Sequence, residues 1–359
     1  MPKVNFFTQS LEFIFHQVTE LRRKLYDVRI FKTHKFQVPI LSVGNVSFGG
    51  TGKTPFVLWL CSFMDKRKLS YAVVARSYGG TITSPTRVDP DSVPGAFEYG
   101  DEPFLLSQRL SNTDIYVGSK KYAVAAFALT QKKYNVLILD DGFQHFPLKR
   151  DLDIVLIDAA AGVEILKRES WKSLQRAQVL VFTKINYTTK DQLETFKAFI
   201  PQGKIILNAS YRSSLKSWTE DGKILNLENL RGKKVYSFCG LGNPEIFFKS
   251  IDEKNPQIHL KRTFPDHHQY TLDDFLKIQK EIENQNFDFI LVSLKDLVKL
   301  KVFIKPENQK KSPIQNSSVQ NSSIPISKDF YNKIFYIDID LEISGDLKAF
   351  EKVIDEILV

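Results

Sequence analysis

Within the run Ser47-Phe48-Gly49-Gly50-Thr51-Gly52-Lys53-Thr54, three glycines, a lysine and a terminal hydroxyl stand close together. That set suits a polyphosphate. Glycines let backbone N–H groups approach phosphate oxygens, a lysine bridges the terminal phosphates, and a threonine hydroxyl can hold Mg2+ at the positive end of a helix. Ser47 stands where the strict form of this pattern has its first glycine. A glycine-rich turn ahead of a helix also arises without any ligand. The flanks argue for a phosphate site: an apolar run over 38–43 reads as a strand, and 54–64 as the helix that follows it. Pro55 suits a first helical turn, where a missing N–H costs nothing.

A second run, Val136-Leu-Ile-Leu-Asp140-Asp141, delivers two carboxylates to the end of a buried strand. Ligands collect at that edge in open α/β sheets, and hard carboxylate oxygens suit magnesium. Paired Asp at a strand end is more often a cap or a turn; beside a phosphate loop, a metal role is favoured for Asp140 and Asp141.

The elements that must position these groups follow from the remaining pattern. Apolar runs at 71–75, 136–139, 154–157 and 179–182 alternate with helical stretches, which predicts a P-loop NTPase-like, largely parallel sheet flanked by helices. Further strands at 204–207, 235–239 and 289–292 predict a second, smaller α/β domain. The expected boundaries are an N-terminal amphipathic helix over 1–30, a P-loop domain over 31–185 and a second domain over 186–345. A helix over 346–359 can return to either domain. Residues 306–327, rich in Asn, Ser, Gln, Lys and Pro, lack apolar content and read as a mobile polar insertion outside any active site.

The chain has 359 residues, 43% of them hydrophobic and 25% charged, which excludes a largely disordered protein. A formal net charge of +9 favours acidic partners: nucleic acid, an anionic membrane surface or a phosphorylated substrate. Two distant cysteines, Cys61 and Cys239, build neither a disulfide framework nor a cysteine zinc site, consistent with a reducing compartment. No run approaches the ~20 apolar residues of a membrane span. At the N-terminus, Phe7, Leu11, Ile14, Val18, Leu21 and Leu25 line one helical face, with Arg22, Arg23 and Lys24 beside it. Such a face either lies in a membrane interface or packs on the protein's own core.

Together, several motifs resemble the tetraacyldisaccharide 4'-kinase family of lipid A biosynthesis. They are Ser42-Val-Gly-Asn45 leading into the glycine loop, Arg76-Ser-Tyr-Gly-Gly80, Gly100-Asp-Glu-Pro103, Asp140-Asp-Gly-Phe-Gln-His145, Val181-Phe-Thr-Lys184 and Phe264-Pro-Asp-His267. They keep the family's order over roughly the first three quarters of the chain. Three departures stand out: Ser77 replaces a common Gly, Ser293-Leu-Lys-Asp296 replaces Thr-Glu-Lys-Asp, and Arg168-Glu-Ser170 replaces Arg-Glu-Pro.

The resemblance implies transfer of the γ-phosphoryl group of ATP to the 4'-hydroxyl of a tetraacylated glucosamine disaccharide 1-phosphate, giving lipid IVA, with Mg2+ as cofactor. It also implies Asp101 as the base, assisted by His267, with Glu102, Asp140, Asp141 and Thr54 on the metal. Read from the residues alone, Asp101 also fits a helix cap, and His267 an idle loop histidine beside His268. Arg76 and Tyr78 are candidates for substrate contact, or simply form a loop; Gln144 and His145 line the site or stabilise the turn after the strand. Lys184 is a weaker candidate for the adenine or ribose. An acylated anionic substrate places the protein peripherally on the cytoplasmic face of the inner membrane, with no nucleic acid expected. The competing reading is another P-loop kinase or a regulatory NTPase, which would need the loop and Asp140/Asp141 but neither Asp101 nor a lipid. A nucleic-acid-binding module ranks last, because the basic residues are dispersed and no stacking platform is seen.

Overall fold

The computed structural model describes residues 6–92, 95–218, 222–242, 244–266, 268–283, 285–300 and 331–358. His267 and the 306–327 insertion lie outside the described residues. The chain divides into two compact units, one of residues 1–90, 102–212 and 339–359, the other of residues 91–101 and 213–338.

The first unit is built on β1 (Ile40–Asn45), β2 (Tyr71–Val74), β3 (Thr86–Arg87), β4 (Asp114–Val117), β5 (Val136–Asp140), β6 (Leu152–Asp158), β7 (Val179–Thr183) and the first half of β8 (Ile205–Ser217). Their order is β8-β7-β6-β1-β5-β2-β4-β3, parallel throughout except for the short edge pair β3 and β4. β1, β5 and β7 are buried along their whole length without alternation, as expected where helices cover both faces of a parallel sheet. β1 lies between β5 and β6, with Val43 opposite Asp140, so the glycine loop and the paired aspartates leave the same sheet edge side by side.

Lys53–Lys66 forms the helix after the loop, and its buried face of Phe56, Val57, Leu60, Cys61 and Met64 packs on the sheet. The C-terminal helix, Leu347–Leu358, belongs to this unit too: Phe350 is fully buried, 5.3 Å from the Phe63 ring and 5.8 Å from Trp59. A division at residue 185 does not match the contacts. Ile205–Ala209 pair in register with Val179–Thr183, which keeps 186–212 with the first unit.

The second unit holds the end of β8 with β9 (Ile224–Leu225), then β10 (Lys234–Cys239), β11 (Ile258–Thr263), β12 (Phe289–Ser293) and the first residues, 334–338, of β13 (Ile334–Gly345). The order β11-β10-β12-β13 is all parallel. Its core on one face gathers Tyr236, Phe238, Phe264, Tyr270, Phe275 and Phe287.

The N-terminal helix, Phe6–Asp27, belongs to the first unit, and among its described side chains His16, Thr19, Glu20, Arg23, Leu25 and Tyr26 are partly buried. The His16 ring meets the Lys167 carbonyl at 3.2 Å, and Tyr26 lies 6.1 Å from the Phe146 ring. On the described part of the apolar stripe, Leu25 is partly buried, whereas Val18 and Leu21 are each 60% exposed and do not pack on the core. Val28, Ile30 and Phe31 extend that exposed apolar surface past the helix end.

Candidate active site

The loop conformation rests on two glycines in the left-handed region, Gly49 (φ 99°) and Gly52 (φ 84°). Gly52 is the N-cap of the Lys53–Lys66 helix and offers no capping side chain, so the first-turn N–H groups stay available to an anion. A side chain there is also excluded by space: a Cβ on Gly52 would lie 1.9 Å from the Tyr211 hydroxyl. Ser47 is not in the left-handed region and is buried, with its carbonyl accepting from Asn45 Nδ2 at 2.8 Å. The position of the departed glycine therefore needs no glycine here.

Lys53 spans the site. Its Nζ lies 3.3 Å from Asn45 Oδ1, at the end of β1, and 3.4 Å from Asp141 Oδ1, after β5. Asp141 also takes both its oxygens to Arg168 Nη1, each at 3.2 Å. Burial works to raise its carboxyl, but Lys53, Lys121 and Arg168 outweigh that and hold it well below the usual carboxylate range.

Asp140 is the opposite case. It is buried, its Oδ1 has no hydrogen-bond partner among the described residues, and burial together with the neighbouring Glu102 carboxylate pushes it up to about 6. Glu102 stands in the first turn of the helix Asp101–Arg109.

Lys121, absent from the sequence expectations, holds this pair from below. Its fully buried ammonium donates to the Asp140 carbonyl at 2.5 Å and the Asp141 carbonyl at 2.6 Å, and burial lowers it to about 8. Only the fold reveals this role, since a lone lysine at a helix start has no distinguishing pattern.

Gln144 Nε2 donates to the Asn45 carbonyl at 2.8 Å, which stabilises the turn after β5. His145 is buried nearby with Nε2 unpartnered among the described residues. Burial, aided by Lys121, Arg76, Arg150 and Arg22, lowers it to about 3, so its ring is neutral at physiological pH. Arg76 and Tyr78 stand on the segment after β2, and Tyr78 is 70% exposed. The Ser77 hydroxyl donates to the Ile82 carbonyl, so the side chain that departs from the family glycine ties this segment together.

Lys184 is directed at protein groups of the loop and of β6. It is buried, with its ammonium on the Asp158 carboxylate and the Gly50 carbonyl.

In the second unit Asp101 is buried, and Lys299 Nζ lies 3.7 Å from its Oδ2. The same ammonium is 3.7 Å from Asp296 Oδ1 and donates to the His268 carbonyl at 3.0 Å. Asp296 is fully buried and accepts from the Gly240 N–H and the Tyr270 hydroxyl, each at 3.0 Å, and from the Ser293 hydroxyl. The Ser-Leu-Lys-Asp variant thus keeps a hydroxyl that caps the helix Leu294–Leu300, with the Asp296 N–H donating to Ser293 Oγ at 3.2 Å. The His268 ring is committed to Asp274, Nε2 to Oδ2 at 2.9 Å, and stacks on Phe264.

Over residues 4–355 the sequence matches the family model described as tetraacyldisaccharide-1-P 4'-kinase. It is similar to a tetraacyldisaccharide 4'-kinase of Bdellovibrio bacteriovorus, 35% identical over 302 residues that cover 82% of this chain and 89% of that protein. A tetraacyldisaccharide 4'-kinase of Halothermothrix orenii is 31% identical over 319 residues, 82% and 83% of the two chains. The fold is similar to that of the crystal structure of LpxK from Aquifex aeolicus in complex with ATP, with a TM-score of 0.70, 24% identity and 98% of each chain covered.

Proposed function

The chain belongs to the tetraacyldisaccharide-1-P 4'-kinase family, and from that premise we propose how its own residues carry out the reaction. The protein is an ATP-dependent kinase of lipid A biosynthesis that phosphorylates the 4'-hydroxyl of tetraacyldisaccharide 1-phosphate. The observation that supports the residue assignment is the approach of Lys53 to Asp141 at 3.4 Å, which brings the lysine proposed for phosphate next to a carboxylate proposed for the metal.

In this reading the loop Ser47-Phe48-Gly49-Gly50-Thr51-Gly52 and Lys53 hold the β- and γ-phosphates. Asp101 takes the proton from the 4'-hydroxyl as that oxygen bonds to the γ-phosphorus and the bridge to the β-phosphate breaks, releasing ADP. His267 assists by orienting Asp101 or passing the proton on. Arg76 and Tyr78 meet the acceptor. An NTPase of the same fold would release ADP without an acceptor. We expect ADP formation to depend on tetraacyldisaccharide 1-phosphate in mixed micelles; the same ADP rate in empty micelles would overturn the assignment.

Magnesium fits the residues present. Among the described residues no three His, Cys, Asp or Glu side chains converge closely enough to hold a metal by themselves, but a nucleotide-bound magnesium takes only one or two carboxylates and completes its shell with phosphates and water. In this reading the unpartnered Asp140 Oδ1 is a direct ligand, and Thr54, Glu102 and Asp141 contact the ion directly or through its waters, with no more than one of the last two carboxylates bound directly. Bound there, magnesium would neutralise charge on the phosphates.

The raised Asp140 carboxyl gives this a sign. Below about 6 it carries a proton that must leave before a metal binds. Mg2+ affinity for the nucleotide-free protein should therefore fall as pH drops through that range, approaching about tenfold per pH unit, and level off above it. Asp140→Asn should flatten the dependence. A titration series showing the same slope in both proteins would contradict the assignment of Asp140.

We further propose that Val18, Leu21, Val28, Ile30 and Phe31, with exposed Arg22, Lys24, Arg29 and Lys32 among them, dock on the cytoplasmic surface of the inner membrane, where the acylated substrate resides. No described helix is long and apolar enough to cross a membrane. Leu21→Glu with Phe31→Glu should weaken flotation with anionic vesicles at least about tenfold, since each side chain withdrawn from the acyl boundary forfeits on the order of 1.5–3 kcal/mol, with ATP binding retained. Undiminished flotation would overturn this surface.

A further inference from the structure

The phosphate loop is held from behind by side chains that no motif for phosphate binding includes. The Thr183 hydroxyl, at the end of β7, donates to the Thr51 carbonyl at 3.0 Å and lies 3.3 Å from the Ile157 carbonyl of β6. Lys184 Nζ donates to the Gly50 carbonyl at 3.0 Å and is paired with Asp158, the last residue of β6. Asp158 is itself fixed, because its other oxygen accepts from the Ala161 N–H at 3.2 Å.

Two further features make this arrangement more than routine packing. Lys184 adopts a left-handed backbone, φ 59° and ψ 34°, a conformation unfavourable for a residue with a side chain. Such an outlier persists only where its surroundings over-determine it, and here both the Gly50 carbonyl and Asp158 claim the ammonium. Asn186, two residues on, then binds the Tyr211 backbone in both directions, donating to its carbonyl at 3.1 Å and accepting from its N–H at 2.9 Å. That seats the Tyr211 hydroxyl where a Gly52 Cβ would stand.

Peptide geometry connects these contacts to the ligand. In a planar trans peptide the C=O of one residue and the N–H of the next point in opposite directions. Binding the Thr51 carbonyl to Thr183 therefore turns the Gly52 N–H to the face away from β7, and binding the Gly50 carbonyl to Lys184 fixes the peptide before it.

We propose that Thr183, Lys184 and Asp158 are positioning residues that preset the phosphate loop in its nucleotide-accepting shape, so that they set ATP affinity and take no part in acceptor recognition. The inference rests on the loop being the nucleotide site. Without the brace, part of the binding energy of ATP is spent on ordering the loop, which weakens binding without removing a single contact to the nucleotide.

The test compares Lys184→Met, which keeps the apolar stem, with Thr183→Val and Thr183→Ser. ATP binding is titrated directly, KM is measured separately for ATP and for acceptor, and thermal melting is followed in each protein. We expect Lys184→Met and Thr183→Val to raise the ATP Kd and KM by about tenfold or more, the scale of a buried carbonyl losing its donor, with acceptor KM unchanged. Thr183→Ser, which keeps the hydroxyl, should restore wild-type values. A merely structural role would lower the melting temperature or the active fraction and leave both KM values where they were; that result overturns the brace.

If Lys184→Met does not fold, the Thr183 pair decides alone. Lys53→Met distinguishes failure of the brace from failure of the loop as the nucleotide site. If it alters ATP binding while the brace variants do not, the brace is wrong and the loop assignment stands. If none of them alters ATP binding, both fail.

Discussion

Asp101→Asn is expected to lower kcat for phosphoryl transfer about 10³-fold, within the range a positioned general base contributes, while ATP Kd changes less than about twofold. The substitution keeps the shape of the side chain and removes only its ability to take a proton. A helix-capping Asp would give a different result, since Asn caps as well as Asp and activity would survive. Asp101 is the first residue of the helix Asp101–Arg109, so the cap reading is the one to exclude. Its buried partner Lys299 retains Asp296 at 3.7 Å after the substitution, so the ammonium is not stranded and the fold should persist. A kcat loss smaller than tenfold in a folded, ATP-binding protein would remove Asp101 from the chemistry.

Lys53→Met should be almost as damaging, reducing kcat/KM for ATP by about 10²–10³-fold through loss of charge that stabilises the transferring phosphoryl group. Asp141 keeps Arg168 on both oxygens in the variant, so the carboxylate remains paired and the strand end should hold its shape. Lys53→Arg should not rescue. The guanidinium is planar and larger than the compact ammonium seated between Asn45 and Asp141. Steady-state kinetics with ATP as the varied substrate measure both variants, and an Arg variant near wild-type activity would show that a general positive charge is all the position requires.

The parts legible in the sequence were those with local, periodic or tightly spaced signals. Continuous apolar runs marked β1, β5, β6 and β7, and their alternation with helices was enough to read a parallel sheet with a phosphate loop on its edge. β11 gave no such signal, because in the edge strand Ile258–Thr263 the polar residues His259, Lys261 and Arg262 interrupt any apolar run. β13 reads Ile-Asp-Ile-Asp-Leu-Glu-Ile after its start, an alternation that no expected strand included. The division of the chain was hidden for a different reason: residues 91–101 leave the first unit and return, a long-range event that composition does not record.

Within the site, the loop, the paired aspartates and the Val181-Phe-Thr-Lys184 segment were visible as motifs, whereas Lys121 and the part that Lys184 plays in holding the loop were not. Lys121 acts on backbone carbonyls from a helix distant in sequence, and Lys184 depends on a left-handed backbone turning its ammonium toward Gly50. Periodicity exposed the N-terminal apolar face but left open what covers it. The inward turn of His16 and Tyr26, which leaves Val18 and Leu21 in solvent, is a packing choice made by Lys167 and Phe146.

The most direct measurement follows label from [γ-32P]ATP into tetraacyldisaccharide 1-phosphate in mixed micelles, with the labelled position then mapped on the isolated lipid. A bis-phosphorylated lipid labelled at the 4'-oxygen is expected from the wild-type protein and nearly none with Asp101→Asn. Label released as inorganic phosphate with none on the lipid, from a folded protein that binds ATP, would contradict that expectation.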